Sequence, residues 1–290
     1  MKPTSVIYLV LAVILFFGGF GMCRYAEKLA ADRNQPIYDQ EIAEDGSTLY
    51  TYEIDNTAVA SLKLVFSGVD VTVKSSPDET SRVELRNFSV REYAVTLNGS
   101  SVTVDGTVGK LASLLDRSSG GIQFRGLRYF LLKDPDSSLK KSVTVYISEA
   151  SKLNSLTVSE TGGTLFLSDM SNPLDYSLSV SDGAARISGI STVSVAEIYV
   201  KTGELEISGS SFNTLVVNST GGSVRVTSNG SIQRSTTSYD LSVSEGSLVY
   251  NGALIEDGSY KISQAISLST VRITVSGGNI NLTDDEIPAP

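Results

Sequence analysis

The C-terminal half of the chain repeats itself. The segments SLTVSETGGTLFLSD from Ser155, YSLSVSDGAARISGI from Tyr176, AEIYVKTGELEISGS from Ala196 and TLVVNSTGGSVRVTS from Thr214 share one form: a short alternating strand, a Ser/Thr/Gly corner and a second short alternating strand. Aligned on the corner glycine, they place Gly163, Gly183, Gly203 and Gly222 at spacings of 20, 20 and 19 residues. Self-similarity at such a period marks a stacked architecture, in which each unit buries its apolar side only against its neighbours. Within the units the apolar residues alternate: Leu156 and Val158 then Leu165 and Leu167, Leu178 and Val180 then Ala185 and Ile187, Ile198 and Val200 then Leu205 and Ile207, Leu215 and Val217 then Val224 and Val226. Ser, Thr, Glu, Lys and Arg fill the positions between them, so each strand has one dry and one wet face. Ser-Gly pairs such as Ser188-Gly189 and Ser208-Gly209 mark a second tight bend.

The expected fold is all-β: a right-handed parallel β-solenoid of coils of about 20 residues, behind one N-terminal transmembrane helix. The alternative is an antiparallel two-layer β stack in which every glycine corner is a hairpin. Short strands and a near-constant unit favour the solenoid, with coils about 4.8 Å apart. In that register Leu165, Ile187, Ile207 and Val226 are expected to form one apolar ladder. Further units surround Gly68, Gly99, Gly246 and Gly278, and Asn98-Gly99 is in addition a strong hairpin signal.

Composition removes several kinds of chemistry. The chain has no His, so a Ser/His/Asp triad is excluded and the commonest metal ligand is missing. A formal charge of −9, from 23 Lys+Arg and 32 Asp+Glu, argues against nucleic acid as a partner. The single cysteine, Cys23, forbids an intramolecular disulfide. No cofactor or metal site is expected. The acid run Asp284-Asp285-Glu286 reads as a solvated terminus.

Three segments are expected. Residues 1–23 hold the apolar run Ser5–Cys23, whose length of roughly 28 Å as a helix matches a bilayer. The run lacks a good small-residue cleavage site, so an uncleaved signal anchor is preferred to a removed signal peptide. Lys2 precedes it, whereas Arg24, Lys28 and Arg33 follow it, so the flanking charges weakly favour the opposite orientation to export. The reading of an extracytoplasmic C-terminal domain rests instead on the Ser/Thr-rich β pattern behind a short head. Residues 24–46 read as a polar stalk, and 47–290 as the β-repeat domain. An insertion or cap at 110–141 interrupts the pattern, with seven Lys/Arg against three Asp in an otherwise acidic chain. Arg125, Arg128 and Lys133 within it are the candidate partner-binding residues. The plainer reading is a cap over an open end of the stack, which repeat proteins need.

These units resemble the bacterial putative-adhesin β-strand-repeat family, a domain of unknown function with membrane-anchored β-solenoid members. The resemblance covers roughly Ser61 to Asn281. It is carried by the lead-in KSVTVYISEASKLNSLTV from Lys141 and by the units SETGGTLFLSD and KTGELEISGS, although Ser148 stands where the lead-in usually has proline. The resemblance implies no catalytic residues. It implies an adhesin-like module of the cell envelope, and the place of some relatives near envelope-stress sensing systems implies an accessory or sensor domain as the alternative.

The functional expectation is therefore non-enzymatic: a surface displayed to wall polymer or to protein, held to the membrane by the N-terminal helix. The alternative partner is a membrane protein met by the basic insertion. A minor alternative is polysaccharide cleavage, with Asp169, Asp175, Asp182 and Arg186 meeting on adjacent coils.

Overall fold

The computed structural model describes residues 39–42, 46–89, 92–107, 115–116, 123–124, 138–172, 174–190, 195–228, 232 and 234–284. The apolar run Ser5–Cys23 and the stalk up to residue 38 lie outside the described residues. Within them, no helix is long and apolar enough to cross a membrane.

Strands β1 (Asp39–Ile42) and β2 (Thr48–Ile54) come first, followed by the unit around Gly68, formed by β3 (Ser61–Ser67) and β4 (Asp70–Ser75). Next are β5 (Ser81–Arg86), β6 (Ala94–Asn98) and β7 (Ser101–Asp105), then the short pair β8 (Leu115–Asp116) and β9 (Gln123–Phe124), then β10 (Ser142–Ile147). The repeats supply β11 (Ser155–Thr161) and β12 (Thr164–Ser168), β13 (Asp175–Ser181) and β14 (Gly183–Ser188), β15 (Val195–Val200) and β16 (Gly203–Ser208), β17 (Thr214–Ser219) and β18 (Gly222–Thr227). The last six are β19 (Thr237–Ser244), β20 (Ser247–Tyr250), β21 (Ala253–Ile255), β22 (Ser259–Ile262), β23 (Ser269–Ser276) and β24 (Asn279–Thr283).

Each repeat is a coil. Its first strand lies in a ten-stranded sheet, and its second, past the glycine corner, lies in a twelve-stranded sheet. Neighbouring coils pair in parallel and without slippage: Leu178 stands opposite Val158 and Ile198, and Ile187 opposite Leu167 and Ile207. The antiparallel two-layer alternative fails for these units, because the two strands of a unit belong to opposite sheets. It holds around Gly99, where β6 and β7 form an antiparallel hairpin. There Gly99, at φ 60, opens a two-residue loop between the paired Asn98 and Ser101.

The sixteen alternating residues of the four units are all buried, with exposures of 0–2%. One ladder expected from the sequence needs correction. Leu165 pairs with Ala185, and it is Leu167 that lines up with Ile187, Ile207 and Val226. The corner glycines fix this register, because Gly183 pairs with Gly203 and Gly203 with Gly222.

Those glycines serve close approach. A Cβ on Gly183 would lie 2.1 Å from the carbonyl oxygen of Gly163, one on Gly203 would lie 1.8 Å from that of Gly183, and one on Gly222 would lie 2.2 Å from that of Gly203. The series continues through Gly278 to Gly246, at 2.0 and 1.6 Å.

The series also shows that space and sequence part company. The coil β23–β24 lies between β17–β18 and β19–β20, so the chain builds an outer coil first and then returns to fill the place beneath it. Both ends of the parallel stack are closed by a coil running the other way. Strands β5 and β6 lie antiparallel on β10 and β7, and β21 and β22 lie antiparallel on β20 and β19. Strand β10 itself enters between β4 and β5. Beside it, Ser148 donates its amide to Ser81 Oγ at 2.9 Å, a bond that the proline usual at this step would lack.

Two contrasts test this arrangement. Ile207→Asp is expected to put a carboxylate into a fully apolar ladder and abolish cooperative thermal unfolding, whereas Glu206→Lys on the outer face leaves the Tm within a few degrees. Gly183→Ala is expected to cost several kcal/mol, because only backbone stands in the way. Gly99→Ala, with nothing within 4 Å but a positive φ, is expected to cost about 1 kcal/mol in chemical denaturation.

Candidate functional site

Two outward sheet faces are offered to solvent among the described residues. On the ten-stranded sheet one row runs Ser159, Ser179, Tyr199, Asn218 and Thr274, in strict register across the coils. Tyr199 is 42% exposed, and the nearby Val195 is 38% exposed. On the twelve-stranded sheet a central row runs Thr72, Phe166, Arg186, Glu206, Arg225 and Asn281. The Arg186 guanidinium lies 5.9 Å from the Phe166 ring centre and 3.8 Å from the Glu206 carboxylate. Toward β5, the Tyr146 ring lies between Lys74 at 5.0 Å and Arg82 at 4.2 Å. Arg82 is also bonded to Asp78 at 2.9 Å and to Glu84 at 3.0 Å. Hydrogen bonds from the Thr80 hydroxyl and amide hold the Asp78 carboxyl far below the usual carboxylate range. Exposed ion pairs of this kind add little stability, and they leave a face on which long charged and aromatic side chains pair with one another.

The candidate partner residues Arg125, Arg128 and Lys133 lie outside the described residues. The described basic residues at the end of the insertion are tied to the body: Lys140 to Asp70 at 2.6 Å and Lys141 to Glu92 at 3.0 Å.

The structure does not bring the four residues of the polysaccharide reading together. Asp182 sits at the glycine corner and accepts a hydrogen bond from the Thr202 hydroxyl. Asp169 sits at the opposite corner, its amide bonded to the Ser188 carbonyl at the far end of β14. Asp175 opens β13, where its carboxylate accepts the Val195 amide at 3.4 Å. The length of β14, roughly 20 Å, separates Asp182 from Asp169, while a glycosidase carboxylate pair needs less than about 10 Å.

Two buried carboxylates were not singled out as such in the sequence. Glu160 is 1% exposed and stands in a ladder with Phe66 and Val180. Its Oε1 accepts the Val69 amide at 3.4 Å, and its Oε2 is buried without a partner. Asp284 was expected to be solvated and is instead 5% exposed. It accepts hydrogen bonds from Tyr239 at 2.9 Å, Tyr250 at 2.6 Å and the Asn251 amide at 2.6 Å, and its own amide donates to Asn251 Oδ1. Tyr260 stacks on Tyr250 with ring centres 4.2 Å apart. Parity was the available signal. Glu160 follows Leu156 and Val158, and Asp284 follows Ile280 and Leu282, each at steps of two.

A family model described as Toastrack DUF4097 matches residues 59–290, most of the chain. The chain belongs to the Toastrack DUF4097 family. No curated protein matches it. Among solved structures it is similar to a "putative cell adhesion protein" from Clostridium sporogenes at 12% identity, covering 86% of this chain and 100% of that one with a TM-score of 0.43. It is also similar to a "putative adhesin" from Bacteroides fragilis at 11% identity, covering 81% and 96% with a TM-score of 0.30. A "putative lipid binding protein" from Parabacteroides distasonis follows at 13% identity, covering 81% and 97% with a TM-score of 0.32.

In this Toastrack domain the Glu160 carboxyl has an electrostatic consequence. Burial pushes it from the ordinary 4.5 up to about 7, against the backbone amides of Val69, Gly163, Thr161 and Gly68, which favour its charged form. The folded state therefore holds a proton that the unfolded state releases above pH 4.5. This contribution is complete below pH 4.5 and is lost as pH rises through 7, by about 3 kcal/mol in all. Glu160→Gln is expected to remove that slope and to be the more stable form at pH 8. Denaturant midpoints measured from pH 5 to pH 8 check this, and parallel profiles for the two forms would refute it.

Proposed function

We propose that this protein is a non-enzymatic, membrane-anchored module of the cell envelope, adhesin-like, that offers a sheet face to wall polymer or to another protein. The outward face of the ten-stranded sheet carries the reading. Hydroxyl and amide groups recur along it at the coil spacing, around one exposed aromatic ring, Tyr199. A polymer with repeating hydroxyl and amide groups meets such a face with many weak contacts that add through multivalency. The apolar run Ser5–Cys23 serves as the anchor and residues 24–38 as the stalk, shorter than the 24–46 read from the sequence because β1 already belongs to the sheet, and the β-repeat domain stands outside the cytoplasm. The coils wind right-handed, as parallel crossovers do. No cofactor is required, and the separated carboxylates lend polysaccharide cleavage no support. The accessory or sensor reading keeps the basic insertion as its argument, with Arg125, Arg128 and Lys133 as the contact to a membrane partner.

Alkaline phosphatase fused after Gly46 is expected to be active, and extraction of the full chain to need detergent. Purified cell walls are expected to sediment the full chain. Val195→Ser with Tyr199→Ala should lose most of that binding, and Arg125, Arg128 and Lys133 changed to Ser should leave it intact. Loss of a specific membrane-protein crosslink in the latter variant, with wall binding absent throughout, would favour the accessory reading instead.

A further inference from the structure

The coil β23–β24 is held from both sides by strands that precede it in the chain. Strand β23 pairs in parallel with β17 and with β19, and β24 with β18 and with β20. Just past β24, Asp284 plugs into Tyr239, Tyr250 and Asn251 of the outer coil. The coil joins the strands before it through the segment 263–268, which passes the start of β19 and is pinned there by Leu268 N–H to the Thr236 carbonyl at 2.8 Å and Gln264 N–H to Ser238 Oγ at 3.1 Å. Within this link Ile266 is 74% and Leu268 69% exposed, the two most exposed large apolar side chains among the described residues.

A coil that completes a slot between two others, and is joined to the strands before it by one short link, satisfies the same backbone and ladder contacts whichever copy of the chain supplies it. We propose that β23–β24 is an exchangeable coil, and that two copies of this protein interlock by each lending Ser269–Thr283 to the slot of the other. Every bond within the slot is reproduced in the exchanged form, so the balance is decided at the link. Folded back within one chain, the link leaves Ile266 and Leu268 in water. Extended between two chains, the paired links cover each other's apolar side chains. Exchange of an identical element is a low-cost route to a two-fold dimer for this reason, and the inference is independent of what the sheet faces bind.

The test uses the full chain with Cys23→Ser, refolded in detergent at low and at high protein concentration. Val216→Cys with Arg272→Cys places thiols on register partners of β17 and β23, at a strand separation that a disulfide spans. Asn218→Cys with Thr274→Cys does the same two residues on. Light scattering is expected to show a dimer fraction that grows with refolding concentration, and non-reducing gels should show the disulfides of that fraction running between chains. Ile266→Ser with Leu268→Ser should reduce the dimer fraction at least severalfold while leaving the monomer's Tm unchanged. A monomer at every concentration overturns the proposal. So does a dimer in which neither cysteine pair links two chains, or a dimer fraction indifferent to the link substitutions.

Discussion

The stack depends on backbone meeting backbone at the glycine corner. Parallel strands from successive coils come within ladder distance along their whole length, and at the corner the carbonyl of one coil presses on the α-carbon of the next. No side chain fits there. The missing Cβ at Gly163, Gly183, Gly203, Gly222, Gly278 and Gly246 is what lets both sheets keep a single register through the turn between them. Once that register is set, every second residue on either side points inward and meets the inward residue of the coil above and the coil below, most often leucine, valine or isoleucine. The core is therefore a set of continuous apolar rows, and its order follows from the corner.

A stack of this kind has two ends, and a free parallel end is a row of unpaired amides and carbonyls. The chain covers each with a coil that runs backwards, β5–β6 at one end and β21–β22 at the other, and at the first of these β2 and β1 carry the twelve-stranded sheet on past β5. An antiparallel coil cannot continue the glycine series, so it ends the repeat as well as covering it. In both places the chain then turns back to supply a strand or a coil inside the one it has just laid down. That return sets the exposed link beside β19 and the buried tyrosine–aspartate cluster within the last coils.

The two buried carboxylates show how position on a coil sets charge chemistry. Asp284 meets two phenol hydroxyls and an amide, enough donors to hold a carboxylate out of water. Glu160 has a long bond from the Val69 amide, only backbone amides of the corner about it, a second oxygen without a partner, and apolar neighbours above and below. The first locks the closing coils together. The second makes the junction of the β3–β4 and β11–β12 coils sensitive to pH. The sheet faces carry their charge differently, in exposed pairs such as Arg186 with Glu206, and stay close to neutral overall along each row.

Period and parity were legible in the sequence because they are local. A step of two between apolar residues says which side chains point inward, and a step of about twenty between glycines says where coils turn. The residues named as core in the four repeats are core, whereas Asp284 was read as part of a solvated acid run and Glu160 was passed over, although both continue the inward step of two. Three things waited for the tertiary structure. The register across the corner moved Leu165 out of the ladder that Leu167 occupies, since sequence spacing counts residues and pairing is decided by which backbone atoms touch. The order of coils in space put β23–β24 beneath β19–β20, because a slot is filled by shape and not by turn in the chain. The distance between Asp169 and Asp182 separated two carboxylates that lie close in sequence, because a coil sends its two corners to opposite edges of the sheet.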